Sequence, residues 1–170
     1  MDQVHVELIQ SWAAAAGAAG HPFPEAAACE AALESAYGLS YLAVHGLNLF
    51  GMKQHKVPAF DTLTLPTREV IEGKWVMVDA AFVKYPDLKS CFQDRVATLE
   101  RLANDTDFVR YKIALSASTP EDFISSVSAK WSTDPNRGKK VLEIYQAFKQ
   151  VVPDPVPADA PVQENNNVAA

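Results

Sequence analysis

A mainly helical α+β fold with one β-hairpin is predicted for this 170-residue chain, and three observations carry the prediction. Apolar residues recur at helical spacing over residues 4–19 and again beyond residue 86. Residues 25–37 form an alanine-rich stretch that is apolar on nearly every side. Between these helical parts, residues 62–78 change to alternation around Glu72-Gly73, the pattern of a hairpin.

The first helix is predicted over 4–19 from Val4, Leu8, Ile9, Trp12 and Ala15 or Ala16. In the second, over 25–37, Ala26, Ala27, Ala28, Cys29, Ala31, Ala32, Leu33 and Ala36 point in all directions. A helix that is apolar all round is normally buried. Pro24 suits its first turn, and Gly38 suits a left-handed position just past its end. Residues 40–44 add one turn before a loop over 46–53. In the hairpin, Thr62-Leu63-Thr64-Leu65 alternates, Thr67 to Ile71 follows Pro66, and Trp75-Val76-Met77-Val78 runs back, with 81–85 as an extension. Helices resume from Pro86 or Asp87 to Ala103 and again over 108–115. Another starts at Ser118 or Thr119, marked by Pro120, Glu121 and Asp122. Thr133 or Asp134, with Pro135, caps the last helix, which reaches Phe148. From Pro153 the chain is rich in Pro, Ala and Asn with no apolar period, so one domain over 1–152 is followed by a disordered tail over 153–170.

The formal net charge of −6 argues against nucleic acid as a partner, which would call for a basic stripe. Half of it falls in the tail, on Asp154, Asp159 and Glu164. His5, His21, His45 and His55 show no metal-ligand spacing and no Cys–His nucleophile pattern, so neither a metal nor a cofactor is expected. Cys29 and Cys91 read as buried free thiols, with a disulfide as the alternative. No segment is long enough to span a membrane. Residues 13–19 are small and apolar but lack a positively charged start, so no signal peptide is expected.

The pattern places Glu34 in the last turn of the buried second helix. There the negative end of the macrodipole and desolvation both disfavour the carboxylate anion. A carboxylic acid kept protonated near neutral pH is what a glycosidase uses to protonate a leaving sugar oxygen. The plainer alternative is that Glu34 projects from the helix end into water. Glu30 lies one turn earlier on the same face, and like charges at this spacing are mildly destabilising. It is expected to be a solvated or ion-paired surface acid rather than a second catalytic carboxylate.

Two motifs within residues 31–53 go further. One is Ala32-Leu33-Glu34-Ser35-Ala36-Tyr37-Gly38 with Ser40 behind it, and the other is Asn48-Leu49-Phe50-Gly51-Met52-Lys53. In this order, separated by one short segment, they resemble the signature of the glucosaminidase family of bacterial peptidoglycan hydrolases, glycoside hydrolase family 73. Thr67-Arg68-Glu69 is similar to a hairpin segment of that family, and Phe82-Val83-Lys84-Tyr85 to its hairpin exit, with a counterpart for Asp94 as well. Trp131-Ser132-Thr133-Asp134-Pro135 is similar to its Tyr-Ala-Thr-Asp-Pro segment.

The resemblance implies a lysozyme-like domain whose hairpin flanks an active-site cleft. It implies an endo-β-N-acetylglucosaminidase that cleaves the β-1,4 bond between N-acetylglucosamine and N-acetylmuramic acid. Glu34 would be the general acid and Glu69 the second carboxylate, the alternative for Glu69 being a solvent-facing strand residue. Tyr37, Asn48, Phe50, Trp131 and Asp134 would bind the sugar, with core packing as the alternative for Trp131. The implied partner is the peptidoglycan glycan strand, met by a monomer outside the cytoplasm after phage lysis or dedicated secretion. An acidic protein has no electrostatic help in finding an anionic wall polymer, so stacking and hydrogen bonds would supply the affinity.

Three positions depart from the family pattern. Leu47 stands where an asparagine is frequent, Trp131 replaces a tyrosine, and Arg137 stands where a second tyrosine is common. Tryptophan stacks on a sugar but cannot donate a phenolic hydrogen bond. A lytic transglycosylase or muramidase on the same scaffold, or a catalytically weak wall-binding module, remain the competing functions.

Overall fold

In the computed structural model, which describes residues 1–54, 59–105 and 109–154, the described residues form seven helices and one antiparallel hairpin. In chain order these are α1 (Gln3–Ala18), α2 (Pro24–Glu34), α3 (Tyr41–Gly46), β1 (Asp61–Ile71), β2 (Lys74–Lys84), α4 (Leu88–Ala103), α5 (Val109–Leu115), α6 (Pro120–Trp131) and α7 (Arg137–Val151). Four helices begin at a side chain that accepts the N–H three residues on: Asp2, Ser40, Asp87 and Thr119. Each satisfies a donor that the first helical turn would otherwise leave unpaired. The mainly helical α+β architecture is the predicted one. His55, the predicted helix start at Phe108 and most of the predicted tail lie outside the described residues.

The centre of the molecule is α2, packed against α1, α6 and α7. Every residue from Ala26 to Ala32 on it is buried, as expected of a helix with no polar face. The stripe of α1 that meets it is Val6, Ile9, Trp12 and Ala16, and Val4 stays 73% exposed. The sequence pattern places Val4 and Leu8 there too: Leu8 is half-buried and packs against the core, while Val4 does not. Periodicity does not say whether Val4 or Val6 completes the stripe, and the position of the partner helix decides it.

Helix α2 stops at Glu34, three residues earlier than predicted. Ser35 ends it: its Oγ donates to the Ala31 carbonyl at 2.6 Å and accepts the Gly38 N–H at 2.9 Å. Ala36, Tyr37 and Gly38 then all take the left-handed conformation, with φ of 51°, 54° and 81°. A Cβ on Gly38 would come within 3.3 Å of the Trp12 ring, so that position requires glycine both for its backbone and for its close neighbour.

The hairpin turns at Glu72 and Gly73, both left-handed (φ 50° and 75°), a two-residue turn whose twist suits the flanking strands. Its register pairs Val70 with Trp75, Glu69 with Val76 and Leu63 with Phe82. Leu63, Leu65, Thr67 and Glu69 are half-buried, while Thr64, Pro66, Arg68 and Val70 on the opposite face are exposed. The loop carrying Asn48–Lys53 is stitched to the base of β2. The Val83 N–H donates to the Met52 carbonyl and the Gln54 N–H to the Ala81 carbonyl, both at 2.9 Å.

His21, 4% exposed, sits edge-on to Phe123 and accepts the Phe23 N–H through Nδ1 at 3.0 Å. Burial pushes its imidazole down to about 4, with Glu30 opposing, against about 6.5 in an unfolded chain. The folded value lies below the unfolded one. The stabilising contribution of neutral His21 is therefore complete above about pH 6.5 and is lost as pH falls toward 4. The melting temperature is expected to drop across that window. His21→Asn, which keeps an acceptor for Phe23 but does not titrate, should flatten the drop. An unchanged pH slope in the variant would move the acid sensitivity to another group.

Cys29 and Cys91 are buried free thiols, each pushed up to about 12 by burial. At the start of the predicted tail, Asp154 accepts a hydrogen bond from Lys149 (2.6 Å), which also reaches Glu25 at 2.8 Å. No helix among the described residues is long and apolar enough to cross a membrane.

Candidate active site

Glu34 closes α2, and Arg137, the first residue of α7, meets it there. Arg137 Nε donates to Glu34 Oε1 at 2.6 Å. The same guanidinium donates through Nη1 to Glu30 Oε1 at 3.0 Å and to Ser128 Oγ at 2.7 Å. The second oxygen of Glu30 accepts from Arg95 Nη2 at 3.2 Å. Arg95 in turn lies 3.5 Å from the centre of the Trp131 ring and 5.1 Å from that of Phe50. Two carboxylates and two guanidinium groups thus form one chain, Glu34–Arg137–Glu30–Arg95, that ends against Trp131.

Burial governs the electrostatics of this chain. Glu30 and Arg95 have no exposed surface and Arg137 has 1%. Desolvation alone would push the Glu30 carboxyl up, but Arg95 and Arg137 outweigh it and hold it below the ordinary carboxylate range. Desolvation likewise opposes the charge of Arg137, and Glu30 and Glu34 together outweigh it and raise its value. At Arg95 desolvation prevails over Glu30 and the value falls. Glu34 differs from the other three. It is exposed as a residue, and its side chain by itself keeps 26% of its surface. One carboxylate of the network therefore meets solvent while the rest of the charge stays in the core.

Glu30 corrects the sequence reading. It is ion-paired as expected, but in the interior and not at the surface. A buried acid on an all-apolar helix demands a cation, and here it has two.

The other residues singled out from the sequence fall into two groups. Asn48 and Phe50 are turned inward. Asn48, 1% exposed, donates through Nδ2 to the Met52 and Val83 carbonyls and accepts the Met52 N–H, all at 2.9 Å. Phe50, 5% exposed, packs edge-on against Phe92. In this arrangement neither offers its side chain to a sugar. They shape the loop from inside, and the expectation of direct sugar contact is corrected for both.

Tyr37, Trp131, Asp134 and Glu69 keep partial exposure. Tyr37 stacks on His5 with ring centres 4.1 Å apart and lines a hollow of about 420 Å³ with His5, Lys140 and Ile144. Asp134 accepts from Lys140 at 2.7 Å and from the Asn136 N–H at 2.9 Å, while its carbonyl accepts the Arg137 N–H at 3.2 Å. Asp134 therefore sets the backbone from which Arg137 reaches Glu34. Trp131, half-buried, lies over Arg95 on one side and against Tyr111 with ring centres 6.3 Å apart. Glu69, on the half-buried face of the hairpin, is ion-paired with Lys53, the last residue of the second motif.

A larger groove of about 720 Å³ runs between α6 and α7, past Ser128, Asp134 and Gly138. Glu34 is not among its lining residues, so its size does not make it the candidate site. Among the described residues, no cluster of three His, Cys, Asp or Glu side chains is placed to hold a metal ion.

Sequence reasoning missed Arg95 and Arg137 as parts of the site, although a signal was present. Cys91, Phe92, Arg95, Thr98 and Leu99 lie on the buried stripe of α4, and Arg137, Val141, Tyr145 and Phe148 on that of α7. An arginine within an apolar stripe marks a buried partner of opposite charge.

Comparison with known proteins gives a consistent result. The family model described as "Glucosaminidase: Mannosyl-glycoprotein endo-beta-N-acetylglucosaminidase" matches residues 10–150. A probable N-acetylmuramidase of Lactococcus lactis subsp. cremoris is 29% identical over 86% of this chain and 33% of its own length. The exo-glucosaminidase LytG of Bacillus subtilis is 28% identical over 75% of this chain and 45% of its own. The chain thus spans about a third of the length of the lactococcal relative. The crystal structure of the catalytic domain of the autolysin Auto from Listeria monocytogenes superposes with a TM-score of 0.74. It is 26% identical, and the match covers 91% of this chain and 89% of that one.

Proposed function

Because the chain belongs to the glucosaminidase family, we propose that it is a peptidoglycan hydrolase acting as an endo-β-N-acetylglucosaminidase. It cleaves the β-1,4 bond between N-acetylglucosamine and N-acetylmuramic acid in glycan strands of the wall, outside the cytoplasm. The observation that carries this reading is Glu34: a partly solvent-accessible carboxyl at the end of a buried helix, held at one oxygen by Arg137. In the protonated form it delivers its proton to the glycosidic oxygen as the bond to the leaving sugar breaks. The charge developing on the ring is that of an oxocarbenium ion. Trp131 and Tyr37 offer aromatic surface to pyranose rings, and the Asp134–Lys140 pair offers polar contacts.

Glu69 is the second carboxylate in this reading. Its support is its place on the half-buried face of the hairpin. From there it activates a water if the two carboxyl groups stand ~6.5–9.5 Å apart in the working enzyme, or attacks directly at about 5–5.5 Å. Folded Glu69→Gln protein is expected to lose turnover roughly 10²-fold or more, as general-base loss does. Unimpaired turnover would leave Glu34 as a lone acid, the arrangement that suits a transglycosylase.

A second reading, muramidase activity, is favoured by the name of the lactococcal relative. Digestion of purified wall followed by mass analysis of the fragments separates the possibilities. N-acetylglucosamine at the new reducing end supports the glucosaminidase, and N-acetylmuramic acid there supports the muramidase. Anhydro ends identify a transglycosylase, and an undigested wall identifies a binding module.

A further inference from the structure

Arg137 touches the candidate acid directly. We propose that Arg137 is a positioning residue for Glu34: its Nε–H occupies Oε1, which assigns the transferable proton to Oε2 and fixes the direction in which it is delivered. The inference rests on the reading of Glu34 as the general acid.

The argument begins with what a guanidinium can do. It carries N–H donors and no acceptor. A proton on Oε1 would face the Nε–H only 2.6 Å away, donor against donor, so a protonated Glu34 carries its proton on Oε2. Such an assignment matters only if Arg137 cannot move aside, and three contacts prevent that. Its Nη1 is held by Glu30 at 3.0 Å and by Ser128 at 2.7 Å. Glu30 is itself held by Arg95. The backbone N–H of Arg137 is tied to the Asp134 carbonyl at 3.2 Å. Close packing of α7 on α6 adds to this, since a Cβ on Gly138 would lie 3.2 Å from the Ser128 Cβ.

Glu34 needs such a support. It is the last residue of its helix, followed by Ser35 and then by three residues in the left-handed conformation, and its side chain is partly open to water. Left free, a glutamate samples several rotamers, and only some would direct the proton at the scissile oxygen. Arg137 removes that freedom. Its charge is shared with Glu30 on the buried side, so Glu34 does not face the whole of it. Glu30 and Arg95 therefore act as the buttress of a positioning device and not only as core ion pairs.

The test uses Arg137→Gln and Arg137→Lys, each in the wild-type and the Glu34→Gln background, with kcat and KM measured on purified glycan strands and melting followed by circular dichroism. In Arg137→Gln, Glu30 retains Arg95, so the interior keeps a neutral pair. The expected result is a fall in kcat of about 10–100-fold, as for an acid misplaced by about 1 Å, with KM unchanged. Lysine, which keeps a donor and the charge, should restore part of the loss. In the Glu34→Gln background neither substitution should lower kcat further, because a residue acting through Glu34 has nothing left to act on. Equal fold losses in both backgrounds, or a wild-type kcat in Arg137→Gln, would overturn the proposal. If Arg137→Gln melts below the assay temperature, Arg137→Lys carries the same comparison. Wild-type activity of Glu34→Gln by itself would instead remove the underlying reading of Glu34, a distinguishable failure.

Discussion

Glu34→Gln is expected to cut digestion of purified wall roughly 10²–10⁴-fold while the protein stays folded. The amide has the shape of the acid and still presents an oxygen to Arg137 Nε, now 2.6 Å from Oε1. It has no proton of suitable acidity for the leaving sugar oxygen. Some stability is lost, because Glu30 alone then faces both Arg95 and Arg137, but the partly exposed side chain of residue 34 keeps that end of the network open to solvent. Release of soluble fragments by folded variant and wild type, measured side by side, decides the matter. Near-normal release would remove Glu34 from the chemistry.

The largest loss of stability is expected one turn earlier in the same helix. Glu30→Ala withdraws the anion that Arg95 (3.2 Å) and Arg137 (3.0 Å) share, and all three groups are buried. Both guanidinium groups then face a desolvated interior, with only Glu34 at the edge to pair with. Breaking a buried ion pair from one side costs about 3–5 kcal/mol. For a domain of this size that corresponds to a fall in Tm of roughly 6–20 °C. Thermal melts at neutral pH provide the check, and a fall under about 2 °C would show that the interior solvates the two cations by other means. Activity should drop as well, because Arg137 loses the contact that holds it toward Glu34.

These two glutamates show where the sequence was readable. Both lie on α2, four residues apart, where the local pattern predicts a functional acid at Glu34 and a surface acid at Glu30. Placing Glu34 in the last turn of a buried helix required only local signals, namely the alanine run, Pro24 and Gly38. The fate of Glu30 depended on Arg95, 65 residues away, and Arg137, 107 residues away. Periodicity tells which face of a helix is apolar but not which other helix supplies a charge to it. Asn48 and Phe50 were misplaced for a related reason. A motif shows that residues matter to a loop, and the three hydrogen bonds of Asn48 show that this one works from inside.

The sequence by itself determined the secondary elements, the turn at Glu72-Gly73, the burial of α2 and the position of Glu34 at its end. Each of these follows from short-range rules: apolar spacing, caps, and the few residues that accept a left-handed backbone. The tertiary structure alone decided that Val6 and not Val4 faces the core from α1, that Trp131 lies over Arg95, and that three buried charges join into one chain behind Glu34. Those outcomes depend on which helices become neighbours. A buried charge is stable only where its partner arrives from another element, and no single segment of the sequence contains that information.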